Sequence, residues 1–111
     1  NGEGAQATSL GAAAFGADAQ ATNTGTLALG ASAQASAVGS TAIGAQSQAS
    51  AQGATAIGNG VSANFEQSTA IGNNAVVGAD LATAIGDGVT GYLTRRAPVG
   101  TLLAAERRAN G

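Results

Sequence analysis

The chain has 111 residues, of which 29 are Ala and 18 are Gly, whereas Leu, Ile, Val and Phe together contribute 19. So few large apolar side chains exclude an ordinary globular core, and the formal net charge of −2 is unlike the high charge typical of disordered chains. The absence of His, Cys, Met, Trp and Lys removes the commonest bases, nucleophiles and zinc ligands, so we expect no catalytic residue, no metal and no cofactor.

A tripeptide of Ala, a large apolar residue and Gly recurs every 14 residues along the chain. Its central residues are Phe15, Leu29, Ile43, Ile57, Ile71 and Ile85, and Val99 continues the register after Pro98. A constant period indicates a repeat protein in which each unit stacks on the previous one. Helical and leucine-rich repeats need about 20 residues or more, so this shorter period predicts an all-β solenoid.

Each unit contains two extended runs separated by turns. In residues 31–44, alanines at 33, 35 and 37 alternate with polar residues at 32, 34 and 36, which predicts a strand with one buried face. Chain reversals are predicted at the glycines that end the units, namely Gly30, Gly44, Gly58, Gly72 and Gly86. We expect about seven coils over residues 1–100, with strands of about four or five residues in parallel sheets at about 4.8 Å per coil. Residues 101–111 leave the repeat and form a non-repeat segment or a connection to a following module.

The Ala-rich columns predict a narrow coil, because larger side chains would push its two sheets apart. Ala42 and Ile43 point to opposite faces, so one column fills the coil and the other meets a neighbouring subunit. We favour Ile43 and its equivalents inside, with Ala42, Ala56 and Ala70 allowing close subunit approach, although the opposite arrangement stays open. One large apolar side chain per coil is too little for a single chain, which predicts a core shared between chains.

The segments STAIG at 40–44 and 68–72, and ATAIG at 54–58 and 82–86, resemble the head repeats of YadA-like trimeric autotransporter adhesins. The resemblance covers nearly the whole chain. It implies a left-handed parallel β-roll, assembled as a homotrimer and exposed on the outer membrane of a Gram-negative bacterium. It also implies binding to host cells or to matrix proteins of the collagen, fibronectin or laminin class. Attachment to the membrane would require an anchor outside this sequence.

An outward column of Gln6, Gln20, Gln34 and Gln48, flanked by Thr22, Ser36 and Ser50, is the candidate ligand-binding surface. Its alternative interpretation is an amide ladder that only stabilises the stacked strands. A second column, Thr41, Thr55, Thr69 and Thr83, resembles the threonine ranks of ice-binding solenoids.

The arginines at 95, 96, 107 and 108 have no interleaved aromatic residues, so no nucleic-acid partner is expected. We therefore predict a non-enzymatic adhesin head segment that binds through a distributed polar surface. The alternatives are an architectural spacer of a surface fibre and an ice-binding solenoid.

Overall fold

The computed structural model describes residues 2–91, in which thirteen short strands alternate between two parallel sheets. Sheet 1 contains the two-residue strands β1 Gln6–Ala7, β3 Gln20–Ala21, β5 Gln34–Ala35, β7 Gln48–Ala49, β9 Ser62–Ala63, β11 Val76–Val77 and β13 Thr90–Gly91. Sheet 2 contains the three-residue strands β2 Ala13–Phe15, β4 Leu27–Leu29, β6 Thr41–Ile43, β8 Thr55–Ile57, β10 Thr69–Ile71 and β12 Thr83–Ile85. The strands are shorter than the predicted four or five residues because the two turns occupy most of each unit. The predicted boundary at residue 100 and the segment 101–111 lie outside the described residues.

Every strand pairs in parallel with its equivalent one coil away, at a constant offset of 14 residues. Thr41 lies opposite Thr55 in sheet 2, and Gln34 lies opposite Gln48 in sheet 1. Backbone hydrogen bonds join the coils: the Thr41 N–H, for example, donates to the carbonyl oxygen of Ala54 at 2.9 Å. The predicted parallel β-solenoid, with one coil per 14-residue unit, is thereby confirmed.

Each coil turns four small side chains inward, two from each side of the roll. The columns on the sheet 1 side are Ala19, Ala33, Ser47, Val61, Ala75 and Val89, and Ala21, Ala35, Ala49, Ala63 and Val77. Those on the sheet 2 side are Thr26, Ser40, Ala54, Ser68 and Ala82, and Ala14, Ala28, Ala42, Ala56, Ala70 and Ala84. All of these residues are at most 7% exposed. The interior is therefore packed largely with methyl groups, which keeps the two sheets close together.

The large apolar column lies on the outside of sheet 2, so our expectation that Ile43 and its equivalents fill the coil was wrong. Ala42 is fully buried, whereas Ile43 is only partly buried. Phe15 and Leu29 are 45% and 40% exposed. Side chains alternate along a strand, so Thr41 and Ile43 share the outer face while Ala42 points inward. Between sheets separated by alanine side chains there is no room for a second, larger column.

The unit-ending glycines stack directly on one another, and their spacing leaves no space for side chains. Gly30 has a φ of +130°, and a Cβ atom there would lie 2.6 Å from the carbonyl carbon of Gly44. The Gly44 N–H donates to the carbonyl oxygen of Leu29 at 2.6 Å, which closes the connection between the coils. The equivalent glycines at 16, 44, 58, 72 and 86 have φ values between +119° and +140°.

Three of the buried hydroxyl groups donate to the backbone carbonyl three residues earlier. Thr26 donates to Asn23 at 2.7 Å, Ser47 to Gly44 at 2.9 Å and Ser68 to Phe65 at 2.6 Å. Each bond closes a turn from inside the roll. No buried side-chain oxygen or nitrogen of residues 2–91 lacks a hydrogen-bond partner, so these polar side chains are accommodated without a desolvation penalty.

Candidate binding faces

The outer surface of sheet 1 carries two polar columns, which we call the amide face. They are Gln6, Gln20, Gln34 and Gln48, and beside them Thr8, Thr22, Ser36 and Ser50. Successive glutamines are direct partners in the parallel sheet, so they repeat at about 4.8 Å along the roll. The structure therefore brings the predicted ligand-binding residues Gln20, Gln34, Gln48, Ser36 and Ser50 together on one continuous surface.

The glutamine amides of the amide face are free. Among the side-chain hydrogen bonds formed within residues 2–91, none involves the side chain of Gln6, Gln20, Gln34 or Gln48. The alternative interpretation, a ladder of amide-to-amide bonds between coils, is thus not formed. Each amide retains two N–H donors and a carbonyl acceptor for another molecule. In the neighbouring column, Ser50 is hydrogen-bonded to Asn64 of the next coil.

The amide face has a definite end along the roll. After Gln48 the same column continues as Ser62, Val76 and Thr90, and Val76 is 38% exposed. The second column changes from Ser50 to Asn64 and Gly78. Long amide side chains are thus confined to the first four coils.

The outer surface of sheet 2 is largely apolar, and we call it the isoleucine face. One column is Phe15, Leu29, Ile43, Ile57, Ile71 and Ile85, and the other is Ala13, Leu27, Thr41, Thr55, Thr69 and Thr83. A contiguous apolar surface of this length is typical of a site of contact with another protein chain. The threonines that resembled an ice-binding rank form a single column here, beside the isoleucines.

The charged residues lie in the turns at the two edges of the roll. Glu3, Asp18 and Asp87 are at the turns that lead into sheet 1, and Glu66 and Asp80 are at the turns that lead into sheet 2. The Asp80 carboxylate accepts a hydrogen bond from the Glu66 N–H at 3.1 Å, so it also fixes its turn. Across residues 2–91, neither face carries a charged side chain. Contacts with either face must therefore depend on hydrogen bonding and apolar packing.

Within the described part of the chain, no three His, Cys, Asp or Glu residues are grouped so that they could hold a metal ion. No helix there is long and apolar enough to cross a membrane.

Sequence reasoning missed the isoleucine face as an outer surface, and it missed Leu27, which widens the apolar area in the second coil. A signal for both was present. Thr41 and Ile43 are two residues apart in one strand and must share a face, and a polar Thr column belongs outside more readily than inside.

A family model described as the YadA head domain repeat, in two copies, matches residues 7–33, 21–47, 35–60 and 62–88. The first three matches begin 14 residues apart, at 7, 21 and 35, which is the period of the coils. Together the matched segments cover well over half of the chain. A comparison with curated proteins found no match.

Proposed function

Since the chain belongs to the family of YadA head domain repeats, the heads of trimeric autotransporter adhesins, we propose that it attaches bacteria to host matrix or host cells through its amide face. The family is one of non-enzymatic adhesins, and it implies exposure at the outer membrane of a Gram-negative bacterium. In this proposal the roll is left-handed and three identical chains assemble side by side. The partners are matrix proteins of the collagen, fibronectin or laminin class.

One observation carries the assignment to the amide face. The glutamines at 6, 20, 34 and 48 present free amides at equal intervals on an uncharged surface. Each hydrogen bond to a partner contributes only about 0.5–1.5 kcal/mol, so no single glutamine dominates. Repetition along the roll, and again in each chain of a trimer, raises the overall affinity through multivalency.

The isoleucine face is the best candidate for the trimer contact. Its column of large residues is the most apolar part of the outer surface, and Phe15 and Leu29 alone are 45% and 40% exposed. Covering such half-exposed side chains contributes on the order of 1 kcal/mol each. With that face covered, the amide face would remain outward and open to ligand.

The test compares binding to immobilised collagen, fibronectin and laminin among three forms of the full chain. The face variant combines Gln20→Ser, Gln34→Ser and Gln48→Ser, and Ser62 in the same column indicates that serine fits there. The turn variant combines Gln46→Ser, Gln52→Ser and Gln67→Ser, which removes as many exposed amides outside the face.

We expect the face variant to lose at least about tenfold in affinity, the turn variant to stay within about twofold, and Gln34→Ser alone to lose less than about fivefold. Complete loss from Gln34→Ser with the fold intact would contradict a distributed surface. If the natural chain binds none of the three matrix proteins and no host cells, it is an architectural spacer instead.

A further inference from the structure

We propose that the amide face also binds cross-β fibres that are rich in amide side chains, with the fibre axis lying along the axis of the roll. The inference rests on the proposed function only in taking the amide face as the ligand surface. It adds a partner of different chemistry, a stacked β-sheet assembly rather than a matrix protein.

The first argument is spacing. The coils of the roll are held apart by backbone hydrogen bonds between parallel strands, such as that from the Gln34 N–H to the Ser47 carbonyl at 2.9 Å. A cross-β fibre is held by the same bonds and repeats at about 4.7–4.8 Å along its axis. Each rung of such a fibre can therefore meet one glutamine of the column without accumulating mismatch. A single extended strand laid along the roll repeats at about 3.2–3.4 Å per residue and falls out of step.

The second argument is chemical complementarity. In-register glutamine ladders on fibres present the same donors and acceptors as the free amides of Gln20, Gln34 and Gln48. The column beside them holds only Thr8, Thr22, Ser36 and Ser50, whose short side chains leave the glutamines projecting. Projecting side chains beside shorter ones are what two interdigitating sheet faces require.

Charge distinguishes a fibre from a second copy of this chain as the occupant. The acidic residues lie along both margins of the face, with Asp18 on one side and Glu66 and Asp80 on the other. Residues 1–94 contain no basic side chain, so two copies that paired through this face would bring like charges together at both margins. A fibre with basic flanking segments is attracted by the same margins.

The experiment measures cosedimentation of the full chain with preformed fibrils of a synthetic glutamine-rich peptide that has lysines at both ends. The natural chain, the face variant and the turn variant are compared, and circular dichroism confirms that each is folded. We expect the natural chain and the turn variant to sediment with the fibrils and the face variant to bind at least about tenfold more weakly. Fibrils of the same peptide with glutamates at both ends should bind more weakly than the lysine form.

Three outcomes would overturn the proposal: no binding by the natural chain, equal binding by the face variant, or pelleting of the natural chain without fibrils. The last would identify a second copy as the occupant. Matrix binding is scored separately on the same three proteins. Loss of fibril binding with intact matrix adhesion would remove this inference alone, whereas fibril binding with no matrix adhesion would remove only the proposed host ligand.

Discussion

The turn between sheet 1 and sheet 2 holds one residue per coil in the left-handed region of backbone space. Gly25, Gly39 and Gly53 occupy this position with a φ of +69°, but Gln67 and Leu81 occupy it with φ values of +54° and +63°. A residue with a Cβ atom is less stable in this conformation than glycine by about 1–2 kcal/mol. The later coils therefore retain a local strain that the earlier coils avoid.

We expect Gln67→Gly to raise the free energy of unfolding by about 0.5–1 kcal/mol, after allowance for the greater freedom of glycine in the unfolded chain. Urea or thermal denaturation monitored by circular dichroism measures the change. The matched control is Gln52→Gly, at an exposed turn position outside the left-handed region, which should leave stability unchanged or lower it. Equal effects of the two substitutions would show that strain at residue 67 is not the cause.

Residue by residue, the sequence predicts the alternation of inward and outward side chains well, because period-two patterning is a local property. The direction of the Ile43 column was harder to predict. A large apolar side chain is stabilised equally by burial inside its own coil or against another chain, and composition alone does not distinguish the two. The adjacent Thr41, on the same face, was the residue that decided the matter.

At the level of the strands, the inward columns differ in how much volume they accept. The column of Ala42 holds alanine in all six described coils, from Ala14 to Ala84. The column of Ala33 lies on the other sheet and accepts valine at Val61 and Val89. In the fifth, sixth and seventh coils one valine per coil enlarges the interior on the sheet 1 side, whereas the sheet 2 side keeps its alanines.

Ala42→Val should therefore destabilise the fold by about 1–3 kcal/mol, because the added methyl groups force neighbouring atoms apart. Ala33→Val adds the same volume at a column that already tolerates it, so we expect a loss below about 1 kcal/mol. Chemical denaturation of the two variants side by side gives the comparison. A larger loss for Ala33→Val would mean that the two sheets do not differ in this way.

The elements themselves were largely predictable, since a 14-residue period without insertions sets the register of every pairing. Strand length was not, because the two turns and their left-handed residues extend further into each unit than glycine positions alone indicate. Gln46 and Ser32, for instance, are in the left-handed region without being glycine. The candidate amide face followed from the Gln columns, but whether those amides bond to one another depends on side-chain rotamers that a sequence pattern does not specify.

For the whole molecule, the apolar outer surface of sheet 2 and the small interior predict that the chain is stable only as an oligomer. Ile43→Asn combined with Ile57→Asn should dissociate the trimer, because each substitution removes up to about 1.5–3 kcal/mol of apolar burial per chain. Sedimentation velocity measures the change in mass. Gln34→Asn with Gln48→Asn on the opposite face is the control, and it should remain trimeric. A natural chain that is a folded monomer at micromolar concentration would contradict the shared contact.

The fixed step between coils also sets the way in which such a head can change in length. Removal of one whole unit deletes one rung and brings Gln34 beside Gln6 with every other partner intact, which shortens the rod by about 4.8 Å. Removal of one residue fewer reverses the facing of all later side chains, exposing the alanines and burying the isoleucines. Growth and shrinkage of the molecule are thus quantised, and genetic duplication or loss of complete units is the route that keeps the roll folded.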